Sequence, residues 1–126
     1  MKKKIIHTAQ APKPVGPYSQ AVVAGNLLFC SGQISIDPKD NAVKAGDIKS
    51  QTKLAMENIK SILMEADATF ENVVKTTIFL KRMGDFAYVN EVYGTYFKAD
   101  PPARSTVEVS ALPKGVDVEI EIIAAL

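Results

Sequence analysis

Arg104 stands in the run Pro101-Pro102-Ala103-Arg104-Ser105-Thr106-Val107-Glu108-Val109. Two prolines fix the approach of the chain, and the β-branched residues after them read as a strand, so the arginine opens a strand on a stiff base at a sheet edge. A guanidinium held this way presents a planar fork that grips a carboxylate through two parallel hydrogen bonds; the plainer alternative is an ordinary surface ion pair. Further on, Val116-Asp117-Val118-Glu119-Ile120-Glu121-Ile122 alternates strictly. Alternation puts Asp117, Glu119 and Glu121 on one face and four aliphatic residues on the other. In a central strand such carboxylates need partners, and Arg104 or a lysine would serve. A carboxylate beside an arginine is also what a hydrolase needs to position and deprotonate water. Alternation alone does not separate Glu119 from Glu121.

Three polar residues join these as candidates. Asn90 recurs with Phe86, Tyr93 and Phe97 at helical spacing, so it falls on the apolar stripe of a helix, where its amide needs a hydrogen-bond partner. Tyr18 follows a rigid Gly16-Pro17 pair, and Ser31 leads into Gly32-Gln33; either lines a pocket or serves turn chemistry. The single cysteine, Cys30, follows Leu27-Leu28-Phe29 and reads as a buried small hydrophobe rather than a nucleophile. The single histidine, His7, lies near the chain start and is a poor general base. One His and one Cys do not make a zinc site of the usual kind within one chain, so no metal is expected. No glycine-rich phosphate loop and no G-x-S-x-G elbow occurs.

The elements that must position these residues follow from periodicity. Ala21–Ala24 and Leu27–Cys30 flank Gly25-Asn26, which predicts a tight hairpin; Asp37–Asn41 is a turn. Asp47 is a helix N-cap, and Ile48, Thr52, Ala55, Ile59, Ile62, Leu63 and Ala66 recur at three- and four-residue steps, giving a helix of about five turns. Val73–Lys81 reads as a strand. Gly84-Asp85 starts a second helix that carries Tyr96 and Phe97 and ends at Asp100-Pro101-Pro102. Strands over 104–109 and 116–124 close the chain. The order is hairpin, α, β, α, β, β: an α+β fold with one mixed sheet and both amphipathic helices on one face. Ile120, Ile122 and Ile123 make the last strand apolar on both sides, which predicts burial of the second face against partner subunits.

Composition bounds the rest. The 126 residues suit one domain spanning 1–126, with 47% apolar and 23% charged residues. A net charge of +1 gives no basic excess for nucleic acid, and Lys2-Lys3-Lys4 reads as a solvated, frayed end. No stretch approaches a membrane span, and the lone cysteine fits a reducing compartment, so a cytoplasmic protein is expected.

Five blocks in order carry a resemblance across essentially the whole chain: Val15–Ala21, Phe29–Gln33, Val74–Leu80, Pro102–Ser105 and Val118–Glu121. Together they resemble the RidA (YjgF-like) family of imine and enamine deaminases. The resemblance implies a chorismate-mutase-like α+β fold and a homotrimer with sites in clefts between subunits. It implies hydrolysis of 2-iminopropanoate and 2-iminobutanoate to 2-oxo acids and ammonia, without a cofactor. By family position Arg104 would grip the substrate carboxylate and Glu119 would direct the attacking water. Tyr18, Ser31 and Asn90 would line the pocket. Thr106 stands where many members carry cysteine. Two alternative functions remain open at this level: a metabolite-binding regulatory trimer, and an endoribonuclease or translation inhibitor.

Overall fold

The most aliphatic strand of the chain lies at the middle of its main sheet. The computed structural model describes residues 2–126, in the order β1 (Lys3–Ile6), β2 (Ala21–Ala24), β3 (Leu27–Gln33), β4 (Ile36–Asp37), β5 (Ala42–Val43), α1 (Ile48–Glu65), β6 (Val73–Leu80), α2 (Phe86–Gly94), β7 (Ala103–Glu108) and β8 (Val118–Ala125). Six strands form one sheet in the order β1-β2-β3-β8-β6-β7. All neighbours are antiparallel except β6 and β7, which run parallel through the α2 crossover. The expected hairpin is present, with Ala24 opposite Leu27 and Gly25 at φ +63° in the turn.

Both helices cover one face. Val118, Ile120, Ile122 and Ala124 of β8 are buried in one cluster with Ala55, Met56, Ile59, Ile62 and Leu63 of α1. Asp47 caps α1 by accepting from the Ser50 N–H at 2.7 Å. Gln51, in the first turn of α1, accepts from the Asp117 N–H at 2.9 Å and donates to the Asp117 carboxylate at 2.9 Å. That pair ties the start of the helix to the approach of β8.

Three expectations are corrected. Lys3 and Lys4 are not a frayed end: they belong to β1, an edge strand paired with β2, and Ile6 at its end is buried. Lysines suit such an edge because their charge discourages further strands from adding to it. The main sheet is not alone, because β4 and β5 make a separate two-stranded ribbon around the predicted turn. The second helix stops at Gly94, short of the prolines, and a glycine there favours an end. Tyr96 and Phe97 nonetheless pack on the core, against Phe70 with ring centroids 5.0 and 5.5 Å away.

Among the described residues no α-helix covers the other face of the sheet. Across β1, β2, β3 and β8 the register aligns Ile5, Val22, Phe29 and Ile123 in one apolar row, with Ile5 50% and Phe29 43% exposed. Glu121, Thr77 and Ser105 form a polar row, and Glu119, Phe79 and Val107 another row beyond it.

Candidate active site

Arg104 is the second residue of β7, the edge strand next to β6. It aligns with Thr76, whose hydroxyl shares a 2.8 Å hydrogen bond with the Tyr93 hydroxyl of α2, so the arginine projects to the helix side. Its guanidinium lies over two α2 rings, 5.2 Å from the centroid of Phe86 and 5.1 Å from that of Tyr93. Its Nη1 donates to Asn90 Oδ1 at 2.7 Å. Stacking and one hydrogen bond fix the plane of the fork, and the guanidinium has further N–H donors to offer. No acidic side chain among the described residues pairs with it. Here is a half-buried, oriented cation without a counter-ion, which is the state of an anion-binding arginine.

Glu119 lies on the opposite face. Its neighbours Val118 and Ile120 are buried under the helices, so alternation sends it to the uncovered side, opposite Phe79. There it lines a cavity of about 540 Å³ with Tyr18, Ser31, Gly32, Lys13 and Lys114 among its walls. The cavity owes its shape to a β-bulge. Cys30 pairs with Ile122 and Gln33 with Ile120, so one extra residue is taken up around Ser31 and Gly32. The Glu119 carboxyl group lies against Gly32. Burial, and secondarily the charge of Glu121, raises its pKa above the ordinary carboxylate range. Among the described residues no protein group hydrogen-bonds to it or forms an ion pair with it. Its oxygens are available for water.

The walls of the cavity are built by hydrogen bonds the chain makes to itself. Ser31 Oγ donates to the Ser19 carbonyl at 2.6 Å, and the Ser31 N–H donates to the Gln20 carbonyl at 2.9 Å. Gly16, at φ +119°, turns the chain so that the Tyr18 N–H meets the Gly16 carbonyl, and Tyr18 remains exposed. Gln20 is almost wholly buried. It accepts from the Thr8 N–H at 2.7 Å and donates to the carbonyls of Thr8 and Pro12 at 3.0 and 2.9 Å. This residue escaped the reading of the sequence, where nothing marks a glutamine after a serine as a loop staple.

The five candidates therefore fall into two groups within one chain. Tyr18, Ser31 and Glu119 share the cavity, whereas Arg104 and Asn90 stand together on the other side of the sheet. The expected pairing of Arg104 with the acidic face of β8 does not occur within the chain. Asp117 is engaged by Gln51 and by Arg82 at 3.3 Å, and Glu121 is exposed. Asn90 bonds to the arginine rather than lining the cavity. Thr106, two residues beyond Arg104, has a buried hydroxyl without a hydrogen-bond partner. Cys30 is buried with its thiol pushed up to about 12, chiefly by burial, which keeps it protonated and unreactive. No helix among the described residues is long and apolar enough to cross a membrane.

An α+β chain with two helices on one face of a mixed sheet, an arginine at the sheet edge with no acidic partner among the described residues and a bulge-built carboxylate cavity has many relatives. The chain belongs to the Endoribonuclease L-PSP family, which includes the YjgF and RidA proteins; its family model matches residues 8–126. A RutC family protein of Pyrococcus abyssi is 56% identical over 124 residues, covering 98% of each chain. The mouse 2-iminobutanoate/2-iminopropanoate deaminase is 46% identical over 122 residues, covering 97% of this chain and 90% of its own. Among solved structures, E. coli TdcF with bound serine superimposes with a TM-score of 0.93 at 41% identity, covering 98% of each chain.

Proposed function

We propose that this chain is the subunit of a homotrimeric hydrolytic deaminase that converts 2-iminopropanoate and 2-iminobutanoate to 2-oxo acids and ammonia. Each site would lie between two subunits, with Arg104 and Asn90 supplied by one copy and Glu119, Tyr18 and Ser31 by its neighbour. The observation that carries this reading is the separation of Arg104 and Glu119 to opposite faces of one sheet, the arginine without a counter-ion and the carboxylate without a donor. A second copy brings the two halves together without disturbing either. The uncovered apolar row Ile5-Val22-Phe29-Ile123 offers surface for that association. The deaminase relatives and the serine-bound structure support the substrate class, since serine, like these imines, carries a carboxylate and a nitrogen on one carbon.

In this reading the Arg104 fork holds the substrate carboxylate through paired hydrogen bonds. Glu119, ionised, accepts a proton from a water over the imine carbon as the water oxygen bonds to that carbon. The carboxyl group passes that proton to the imine nitrogen, giving a neutral tetrahedral aminoalcohol. The carboxylate then takes the aminoalcohol hydroxyl proton and delivers it to the nitrogen as the carbonyl forms and the carbon–nitrogen bond breaks, so that ammonia leaves behind a 2-oxo acid. One water is consumed, and the glutamate ends as it began.

The deciding experiment generates the imine in place with a threonine or serine dehydratase and follows 2-oxo acid formation with and without this protein. Acceleration above the spontaneous rate is expected. A protein that binds carboxylates without turnover would instead be a regulatory trimer. Cleavage of RNA in the absence of imine hydrolysis would favour the endoribonuclease reading that the family description carries, against which the near-neutral charge weighs.

A further inference from the structure

We infer that Gly32 is a positioning residue for Glu119: a missing side chain that gives the carboxyl group its seat. This rests on the deaminase reading for its kinetic consequence, though not for its geometry. A methyl group built on Gly32 would meet Glu119 Oε2 and lie 2.8 Å from Cδ, closer than a real β-carbon approaches anything, with Cγ at 3.0 Å, tighter than most real contacts. The three nearest atoms all belong to that one side chain. Gly32 is not here for its backbone freedom. The glycines in the left-handed region are Gly16, Gly25 and Gly115, whereas the backbone at Gly32 is one that other residues adopt. Glycine in a strand marks a bulge or a close approach, and here the bulge between Cys30 and Gln33 turns its α-carbon toward the carboxyl group.

The obstacle lies at the far end of a flexible side chain, so a methyl group is accommodated by rotating Glu119 rather than by moving the sheet. Stability and function thus separate at this position. The fold tolerates alanine, but the carboxyl group is displaced outward by about an ångström, the scale of misplacement that costs roughly 10²-fold in a reaction needing aligned groups. Outward displacement also returns it to water and relaxes the burial that raises its pKa.

The test is Gly32→Ala, made in the parent and in a Glu119→Gln background. In the parent it should lower kcat by about 10–100-fold with KM nearly unchanged, because substrate is held by Arg104. Melting temperature and oligomeric state should stay at parental values. In the Glu119→Gln background it should have little further effect, since the group it displaces is already silent. Retained kcat, an equal loss in both backgrounds, or unfolding would each overturn the assignment. A readout independent of turnover is the carboxyl carbon resonance of Glu119, identified by its absence in Glu119→Gln and titrated by NMR. It should titrate at lower pH in Gly32→Ala, and an unchanged midpoint would reject the inference. Were the parent inactive toward imines, the deaminase reading would fail while this titration still reported where the carboxyl group sits.

Discussion

At the scale of single residues, Glu119 and Glu121 are equals in the alternation of their strand and unequals in their surroundings. Glu119 is half-buried in the cavity against Gly32, whereas Glu121 is exposed one step away on the polar row. A positioned acid–base group contributes a rate factor of about 10²–10⁴, so Glu119→Gln should lower kcat into that range. Glu121→Gln should change the rate far less but shift the pH profile. In the proposed mechanism Glu119 acts ionised, so activity should fall as pH drops through its raised pKa. Removing the Glu121 charge lowers that pKa and moves the acid limb to lower pH. Kinetics across pH on both variants read this, and a silent Glu119→Gln would sink the role given to it. Arg104 yields a second test. Its orientation depends on a flat cation stacked on Phe86 and Tyr93 and bonded to Asn90. Arg104→Lys keeps the charge and loses the fork, and a charged hydrogen bond is worth about 1.5–3 kcal/mol, so kcat/KM should fall at least about tenfold. Near-normal kinetics in a folded lysine variant would remove the carboxylate-anchor role.

At the scale of elements, the site is a set of loops held by a few buried polar groups, and Gln20 is the chief of them. Its amide satisfies three backbone groups of Thr8 and Pro12 across the segment that walls the cavity. Gln20→Leu keeps the approximate volume and orphans those groups, each at a cost of about 1–3 kcal/mol where water does not reach it. The unfolding free energy from denaturant titration, taken at fixed protein concentration, should drop by at least that much; an unchanged value would mean that the loop is secured elsewhere. The same element shows where local pattern stops being informative. The three-to-four spacing from Ile48 to Leu63 and the alternation of Val118–Ile122 each report a single element's own face, and both are matched by the structure. β1 was hidden because the lysine run reads as solvated, and only pairing with β2 makes a strand of Lys3 and Lys4. The bulge at Ser31-Gly32 and the staple at Gln20 depend on what lies across the fold, which residue spacing does not encode. The opposite facing of Arg104 and Glu119 is of the same kind: it follows from the register of β7 on β6 and of β6 on β8, two long-range alignments.

At the scale of the whole molecule, the proposed division of the site between two copies constrains the symmetry. The Arg104 half lies beside the β7 edge and the Glu119 half lies in the cavity beside β3 and β8, so contact between them joins unlike surfaces of two copies. Unlike surfaces meeting head to tail either close into a ring or run on as a filament, and a ring of three is the closure proposed. Sedimentation equilibrium should return a trimer mass at micromolar concentration; a clean monomer would defeat the shared site. The stricter test uses two inactive variants, Arg104→Ala and Glu119→Gln. Refolded separately, each has no complete site. Refolded together in equal amounts, random assembly gives a site an intact arginine from one copy and an intact glutamate from the next about one time in four, so roughly a quarter of parental activity should appear. Sites assembled within single chains predict no such gain, because every chain then carries one lesion and the mixture shows only the average of its two components. Complementation is therefore sensitive to what mass alone does not report: not merely that three copies associate, but that the arginine of one works on the substrate of its neighbour's glutamate.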